Sequence, residues 1–331
     1  MTRFLIRRIA QAIFVMWLMT VTVFLIFFVG PGPGSVARVL AGRQATPQQV
    51  AEVNARLGLN LPIWDQYWRF FVAGPNGTGL ITHGSLGYDY YHQQSVNTII
   101  AQAFPITLSL VIGAAILWLI YGVLTGVISA VKTRTLWDRS FTSLALFFYS
   151  MPTFVLGLVL ILFLYYDLTK AGITIFPSPG AQSWVGFTQN PLQWAHVLIL
   201  PWVTLALVTA ATYTRLTRGS MLDVFGEDFI RTARAKGMSE QRVIFRHNLR
   251  AALTPVVTQF GIDVGVSLGG VIITESVFAL PGLGYTAVNA IQQQDLPVVI
   301  GIVIVASAAV VITNLIVDIL YAVIDPRVRI H

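Results

Sequence analysis

Long apolar runs separated by short polar or basic stretches set the pattern of this chain. Six runs reach the roughly 20 residues needed to cross a hydrocarbon core: Ile9 to Val29, Ile106 to Val131, Phe141 to Tyr165, Trp194 to Tyr213, Pro255 to Ser276 and Val298 to Val323. They predict six transmembrane helices and an all-α integral membrane protein. The first run is too long for a signal peptide and lacks a small-residue cleavage site, so it reads as a retained anchor. On this pattern the chain divides into residues 1–30 (N-terminus and first helix), 31–104 (a small external scaffold), 105–323 (a five-helix core that includes a polar segment at 215–254) and a tail at 324–331.

The external region opens with the breaker sequence Pro31-Gly32-Pro33-Gly34. Thr46-Pro47-Gln48-Gln49 then supplies a cap, a proline at the first helical position and a glutamine three residues after the cap, which together predict a helix start. Val50, Val53 and Leu57 mark one face of that helix and Gly58 stops it. Aromatic residues follow thickly at Trp64, Tyr67, Trp68, Phe70 and Phe71, then at Tyr88, Tyr90 and Tyr91. They read as an interfacial belt around the first helix, with a landing surface for an external partner as the competing reading. Asn76-Gly77-Thr78 has the form of a glycosylation sequon, a pattern too short to carry weight. The loop from 166 to 193, with Pro177, Pro179, Pro191 and Trp184, reads as irregular.

Charge then orients the chain. Charged residues make up only 11% of it, against roughly 25% in an average soluble domain. Arg3, Arg7, Arg8, Lys132, Arg134, Arg139, the eight basic residues between Arg215 and Arg250, Arg327 and Arg329 fall on one side of the predicted spans. Only Arg38, Arg43, Arg56, Arg69 and Lys170 fall on the other, which places both termini and the polar segment in the cytoplasm. This bias accounts for the formal charge of +7, so lipid is the expected surrounding and no nucleic acid is called for. No cysteine is present, which excludes thiolate chemistry. His83, His92, His196, His247 and His331 show no metal-ligand spacing and no triad arrangement, so no catalytic or metal residue is expected. The chain carries no GxxxxGK loop and should not hydrolyse ATP itself.

The most informative stretch is Met221 to Val257, MLDVFGEDFIRTARAKGMSEQRVIFRHNLRAALTPVV. It predicts two short helices meeting at Gly237. Glu227 and Asp228 in the first turn and Arg234 and Lys236 in the last suit the helix dipole, and Gly237 can take the left-handed conformation that ends it. Small residues Ala233, Ala235 and Gly237 leave a knuckle where another protein can approach the backbone.

Inside the predicted spans, Asp263 lies about 12 Å along the fifth from Pro255, and Glu275 falls near its outer end. Asp263 either lines a wet path or is hydrogen-bonded within a helix interface. Met151-Pro152 interrupts the third span, and Gly261, Gly265 and Gly269 share one helix face that can approach a neighbour closely, Gly270 following directly. Met151, Pro152, Asp263 and Glu275 are the candidates for a translocation path or gate.

The segment Asp228 to Val257 resembles the cytoplasmic coupling loop of permease subunits in binding-protein-dependent ABC importers, in the dipeptide, oligopeptide and nickel branch. The resemblance continues through TESVFALPGLG at Thr274 to Gly284, VDILYAVIDPRVR at Val317 to Arg329, FLIRRIAQAIFVMW at Phe4 to Trp17 and ATPQQVAEVNARLGLNLP at Ala45 to Pro62. It implies a type I importer permease fold, in which Asp228, Phe229, Ile230, Arg231, Thr232, Ala233, Arg234, Ala235, Lys236 and Gly237 dock in a groove of a cytoplasmic ATPase. Phe229, Ile230 and Ala233 would form the apolar contact stripe, Glu227 would pair with Arg231, and Arg234 and Lys236 would meet polar or acidic groups of the ATPase. Arg-Thr-Ala at 231–233 replaces the Glu-Ala-Ala start of the general permease pattern. The implied partners are a second permease, different in sequence, one or two ABC ATPases carrying ATP and Mg, and an external substrate-binding protein. No cofactor is expected on this chain. Peptide is the implied substrate, with nickel chelate, glutathione, haem or another solute as alternatives. An ion-coupled carrier and a non-transporting scaffold remain as readings from other classes.

Overall fold

A computed structural model describes residues 2–30, 36–38, 45–73, 79–89, 92–180, 184–269 and 271–324. The Pro31–Gly34 run, Arg43, the sequon, Tyr90, Tyr91, Gly270 and the tail from Asp325 onward lie outside the described residues. Among the described residues six helices are long and apolar enough to cross a membrane.

Helix α1 (Thr2–Phe24) continues through wider π-helical turns at Leu25–Val29. Helix α2 (Pro47–Leu57) starts as its sequence predicts: Thr46 Oγ1 accepts from the Gln49 N–H at 3.3 Å while Gln49 Oε1 accepts from the Thr46 N–H at 2.8 Å. Gly58 ends it with φ 67°. Then come α3 (Ile63–Trp68), π turns at Arg69–Ala73 and α4 (Leu80–His83). The aromatic run divides by partner. Tyr67 and Phe70 pack on Phe24 and Phe28 of α1, and the Tyr67 hydroxyl lies 3.0 Å from Thr20 Oγ1, whereas Trp64 is 83% exposed.

A two-stranded antiparallel hairpin, β1 (Tyr88–Asp89) and β2 (Gln94–Ser95), sets Tyr88 opposite Ser95 and Asp89 opposite Gln94. Ser95 caps α5 (Val96–Val131) by accepting from the Asn97 N–H. Next come α6 (Leu136–Ser150), α7 (Thr153–Leu160) running on through π turns to α8 (Leu168–Lys170), α9 (Pro191–Phe225), α10 (Asp228–Ala235) and α11 (Glu240–Arg242). Helices α12 (Leu249–Leu268), α13 (Ile272–Val277), α14 (Leu283–Gln293) and α15 (Leu296–Ile324) complete the chain.

Two predicted spans need correction. The Phe141–Tyr165 run is two helices, because Met151 is extended (φ −90°, ψ 124°), as a residue before proline prefers; the span is Thr153–Lys170. The Pro255–Ser276 run stops at Leu268, where Gly269 and Val271 break the helix, so Glu275 sits on the separate α13. The fifth span begins earlier instead, running from Glu240 to Leu268 through Pro255. The expected second short helix of the polar segment is the start of this span.

Helices α5 and α9 lie side by side in the same direction, with Gly113 against the Trp202 ring, Gly122 against Tyr213 and Gly126 against Thr217. Around them, Ile106 and Leu110 pack with Val197, Leu198, Phe278 and Leu280; Ala114 and Trp118 pack with Ala210, Tyr213 and Val256; and Val127 and Ala130 pack with Met221 and Ala252. The first layer lies at the hairpin end of the bundle and the last at the α10 end. On the other side of α12, Gly261, Gly265 and Gly269 face Val317, Asn314 and Val310 of α15, so the sequence-predicted glycine face is an antiparallel packing seam. A β carbon at Gly261 would fall within the Val317 side chain, whereas one at Gly219 meets nothing. Gly261→Val should therefore lower the thermal stability of the solubilised chain by about 1–3 kcal/mol, and Gly219→Ala should leave it unchanged or higher; thermal unfolding followed by intrinsic fluorescence checks both.

Candidate functional site

The α10 end of the bundle is built from one short helix and the two spans it touches. Glu227 precedes α10 in extended conformation, Asp228 occupies the first turn and Arg234 the last. Ile230 (0% exposed) and Ala233 (5%) pack under the helix against Val243, with Val224, Phe225 and Met238 around them. The expected contact stripe is thus largely turned inward, and of its three members only Phe229, 46% exposed, remains on the surface. The outer face is made by Asp228, Phe229, Arg231, Thr232, Ala235, Lys236 and Gly237.

One ion-pair expectation changes, and Arg234 has a partner within the chain. Arg231 pairs with Asp228 at 3.5 Å in place of Glu227, an exposed contact that contributes little. Arg234 donates to both carboxylate oxygens of Glu240, at 2.8 and 3.3 Å, and its guanidinium lies over the Phe225 ring. It therefore clasps α10 to α11. Gly237 takes φ 74°, and the Gly237 and Met238 N–H groups close the helix on the carbonyls of Arg234 and Ala233. Asn248, fully buried, donates to the Met221 carbonyl at 3.0 Å and ties the root of α12 to α9. Phe225 and Val243 thereby seat α10 on the end of α9 and on the π turns at Val243–Asn248 that run into α12.

A second junction near this end was not legible in the sequence. Arg218 of α9 donates to Asp138 of α6 through Nε at 2.7 Å and a terminal nitrogen at 3.1 Å, and the Arg134 N–H donates to the same carboxylate at 2.9 Å. The Arg218 hydrogen bond holds the Asp138 carboxyl below its ordinary value, against the opposing effect of burial. The two residues are 80 apart in sequence, so no local spacing marks the pair.

The four candidate path residues are not brought together. Met151 and Pro152 form the joint between α6 and α7. Asp263, half-buried, accepts from the Tyr213 hydroxyl and from Gln259 Nε2, each at 2.8 Å, in the α9–α12 interface. Of its two sequence readings this geometry matches the hydrogen-bonded interface. Glu275 is fully buried: one oxygen accepts from Thr107 Oγ1 at 2.6 Å and the other from the Tyr285 N–H at 2.9 Å, while Thr107 Oγ1 itself accepts from the Leu283 N–H at 2.8 Å. Gly282 lies so close that a β carbon there would meet the Glu275 carboxylate. Thr107 and Glu275, 168 residues apart, thereby knot α5, α13 and α14 into one unit.

Among the described residues, six packed spans with one amphipathic helix clasped at an end make a multi-pass membrane protein. Residues 122–330 match the family described as binding-protein-dependent transport system inner membrane component, and residues 1–111 match the N-terminal component of such membrane proteins. The chain belongs to this family of inner membrane permeases. It is 36% identical to the dipeptide transport system permease protein DppB of Escherichia coli (strain K12) and 36% identical to the glutathione transport system permease protein GsiC of the same strain, each over 99% of both chains.

Removing Arg218 leaves Asp138 buried without its counter-charge. Arg218→Ala should destabilise the solubilised chain by about 2–3 kcal/mol at neutral pH, and adding Asp138→Asn should restore part of that loss. Because the folded carboxyl is held below its ordinary value of 3.8, the wild-type advantage is complete above that pH and disappears as pH falls below it. Thermal midpoints of wild type and variant measured from pH 8 down to about pH 2 check both magnitude and sign.

Proposed function

We propose that this chain forms one half of the membrane path of an ATP-driven peptide importer and that α10 is the element through which partner ATPases move it. The observation that carries the coupling reading is the clasped α10, which presents an outer face from Asp228 to Gly237 while its inner face is fixed to both α9 and α12. Lys132, Arg134, Arg139, Arg215, Arg218 and the basic residues after α10 gather at the same end, which supports a cytoplasmic location for it and for both termini. The partners on this reading are a second permease of different sequence, one or two cytoplasmic ABC ATPases that bind ATP and Mg, and an external substrate-binding protein. The chain itself supplies no phosphate-binding loop. Its residues 31–104 act as the external scaffold, 105–323 as the permease core and 324–331 as the cytoplasmic tail.

Both relatives' names denote carriage of short peptides, dipeptides in one and glutathione in the other. Small peptides are therefore the substrate class we assign, with glutathione as the second reading. The joints already described support alternating access. ATP binding draws the ATPases together, α10 transmits the displacement to α9 and α12, and α6 and α7 rehinge at Met151-Pro152. Energy enters only through contacts that differ between the two states, so the α10 face must meet the ATPases differently in each. Asp263 and Glu275 act here as interface locks at the edge of the path.

The test is Gly237→Val. Its β carbon meets nothing, so the effect is confined to the left-handed backbone, at about 1–2 kcal/mol. Peptide uptake in cells should fall by about tenfold with the chain present in the membrane at wild-type levels, and Gly237→Asn, which tolerates φ above zero, should keep most of it. Full uptake by the valine variant would overturn the coupling role of this turn.

A further inference from the structure

At the end of the bundle opposite α10, the β1–β2 hairpin meets the first turn of α15. Asp89 on β1, His92 in the hairpin turn and Asp295 just before α15 each offer a ligand atom, and these three atoms lie within 4.8 Å of one another. The two carboxylates are almost wholly buried (0% and 8% exposed), whereas the His92 side chain is 47% exposed. Each carboxylate is steadied by main chain: Asp89 Oδ1 accepts from the His92 N–H at 2.9 Å, and Asp295 Oδ1 accepts from the Val298 N–H at 3.3 Å. Asp89 Oδ2 is directed at His92 Nδ1, 2.7 Å away. Two buried acids side by side cannot both stay ionised unaided, so a shared proton or a cation sits between them, and a bound cation would take the proton's place.

We propose that Asp89, His92 and Asp295 form a binding site for a first-row divalent cation of zinc-like preference, which fastens the hairpin leading into α5 to the start of α15. The donor set selects the class. One imidazole with two carboxylates suits zinc better than magnesium or calcium, which take oxygen ligands alone. Three protein ligands leave a fourth position, and the exposed edge of His92 gives ion and water their way in. Metal–ligand bonds of about 2.0–2.2 Å place neighbouring donors roughly 3–3.6 Å apart, which the three side chains reach by small rotations from their present separations. The main-chain N–H groups on Oδ1 of each aspartate do the orienting that outer hydrogen bonds do at metal centres. Sequence spacing conceals the site, because Asp295 lies some two hundred residues beyond its partners. Its position gives it a structural consequence. The hairpin precedes α5 directly, and Val96, Ile100 and Ala103 of α5 pack with Val298, Val299 and Ile302 of α15, so an ion here would hold together the two spans at the mouth of the bundle.

The experiment uses the full chain in detergent, stripped with EDTA and dialysed against Zn2+ alone. We expect about one Zn2+ per chain at micromolar free zinc, a rise in thermal midpoint on adding zinc, and at least a tenfold loss of affinity in both His92→Ala and Asp295→Asn. His92 is a surface position, and Asn at 295 keeps an oxygen for the Val298 N–H, so midpoints in EDTA matching wild type would show that both variants fold. Absence of zinc binding by the wild type overturns the proposal. So does zinc bound undiminished by either variant, which would place the ion at other histidines, and so does millimolar Mg2+ competing on equal terms, which would make the site a general acidic one.

Discussion

The close approach of α5 to α9 is the constraint on which the rest of the bundle depends. Lipid tails are as apolar as leucine, so two spans gain nothing from merely hiding apolar surface from each other and must rely on packing and hydrogen bonds. Gly113, Gly122 and Gly126 let the backbones come near enough for Trp202, Tyr213 and Thr217 to fill the space a side chain would take. The Thr125 and Thr214 hydroxyls, 2.8 Å apart, join the same seam. Trp118 and Tyr213, both fully buried, then form the floor against which Phe260 and Val256 of α12 pack. Once α5 and α9 are fixed, α12 finds its place on them, and α15 follows on the glycine face of α12.

The two ends of this frame differ in how they are tied. At the hairpin end the connections are buried and polar, with Glu275 and Thr107 binding α13 and α14 to α5. Such knots are costly to break, because each partner would be left unpaired away from water. At the other end α10 itself is held by a surface ion pair and a small apolar cluster, while buried polar ties, Asp138 with Arg218 and Asn248 with Met221, join the spans behind it.

Much of this is legible in the sequence itself. The Thr46–Gln49 capping box, the left-handed Gly237 and the glycine face of α12 each follow from local chemistry, and each is in place. What escaped was long-range pairing. Asp138 with Arg218 and Thr107 with Glu275 are separated by 80 and 168 residues, and no spacing rule links residues that only the tertiary fold brings together. Helix limits failed for a different reason. Hydropathy runs straight through Met151-Pro152 and past Gly269, since the residues on both sides are apolar, but backbone sterics do not. The apolar stripe of α10 turns inward at Ile230 and Ala233, since amphipathicity shows which face is oily without showing whether the chain's own body already covers it.

The clasp on α10 has a thermodynamic consequence. A helix of eight residues is far too short to persist in water unaided, yet Ile230 and Ala233 are anchored beneath it and Arg234 is bound to Glu240 above Phe225. The ordering entropy is therefore spent during folding of the subunit, and a protein that engages the outer face meets a rigid knob whose association need not be diminished by disorder in the free state. Affinity at such a surface can be modest and still transmit displacement faithfully, because stiffness, not tightness, decides how much of a push arrives at the far end of the spans.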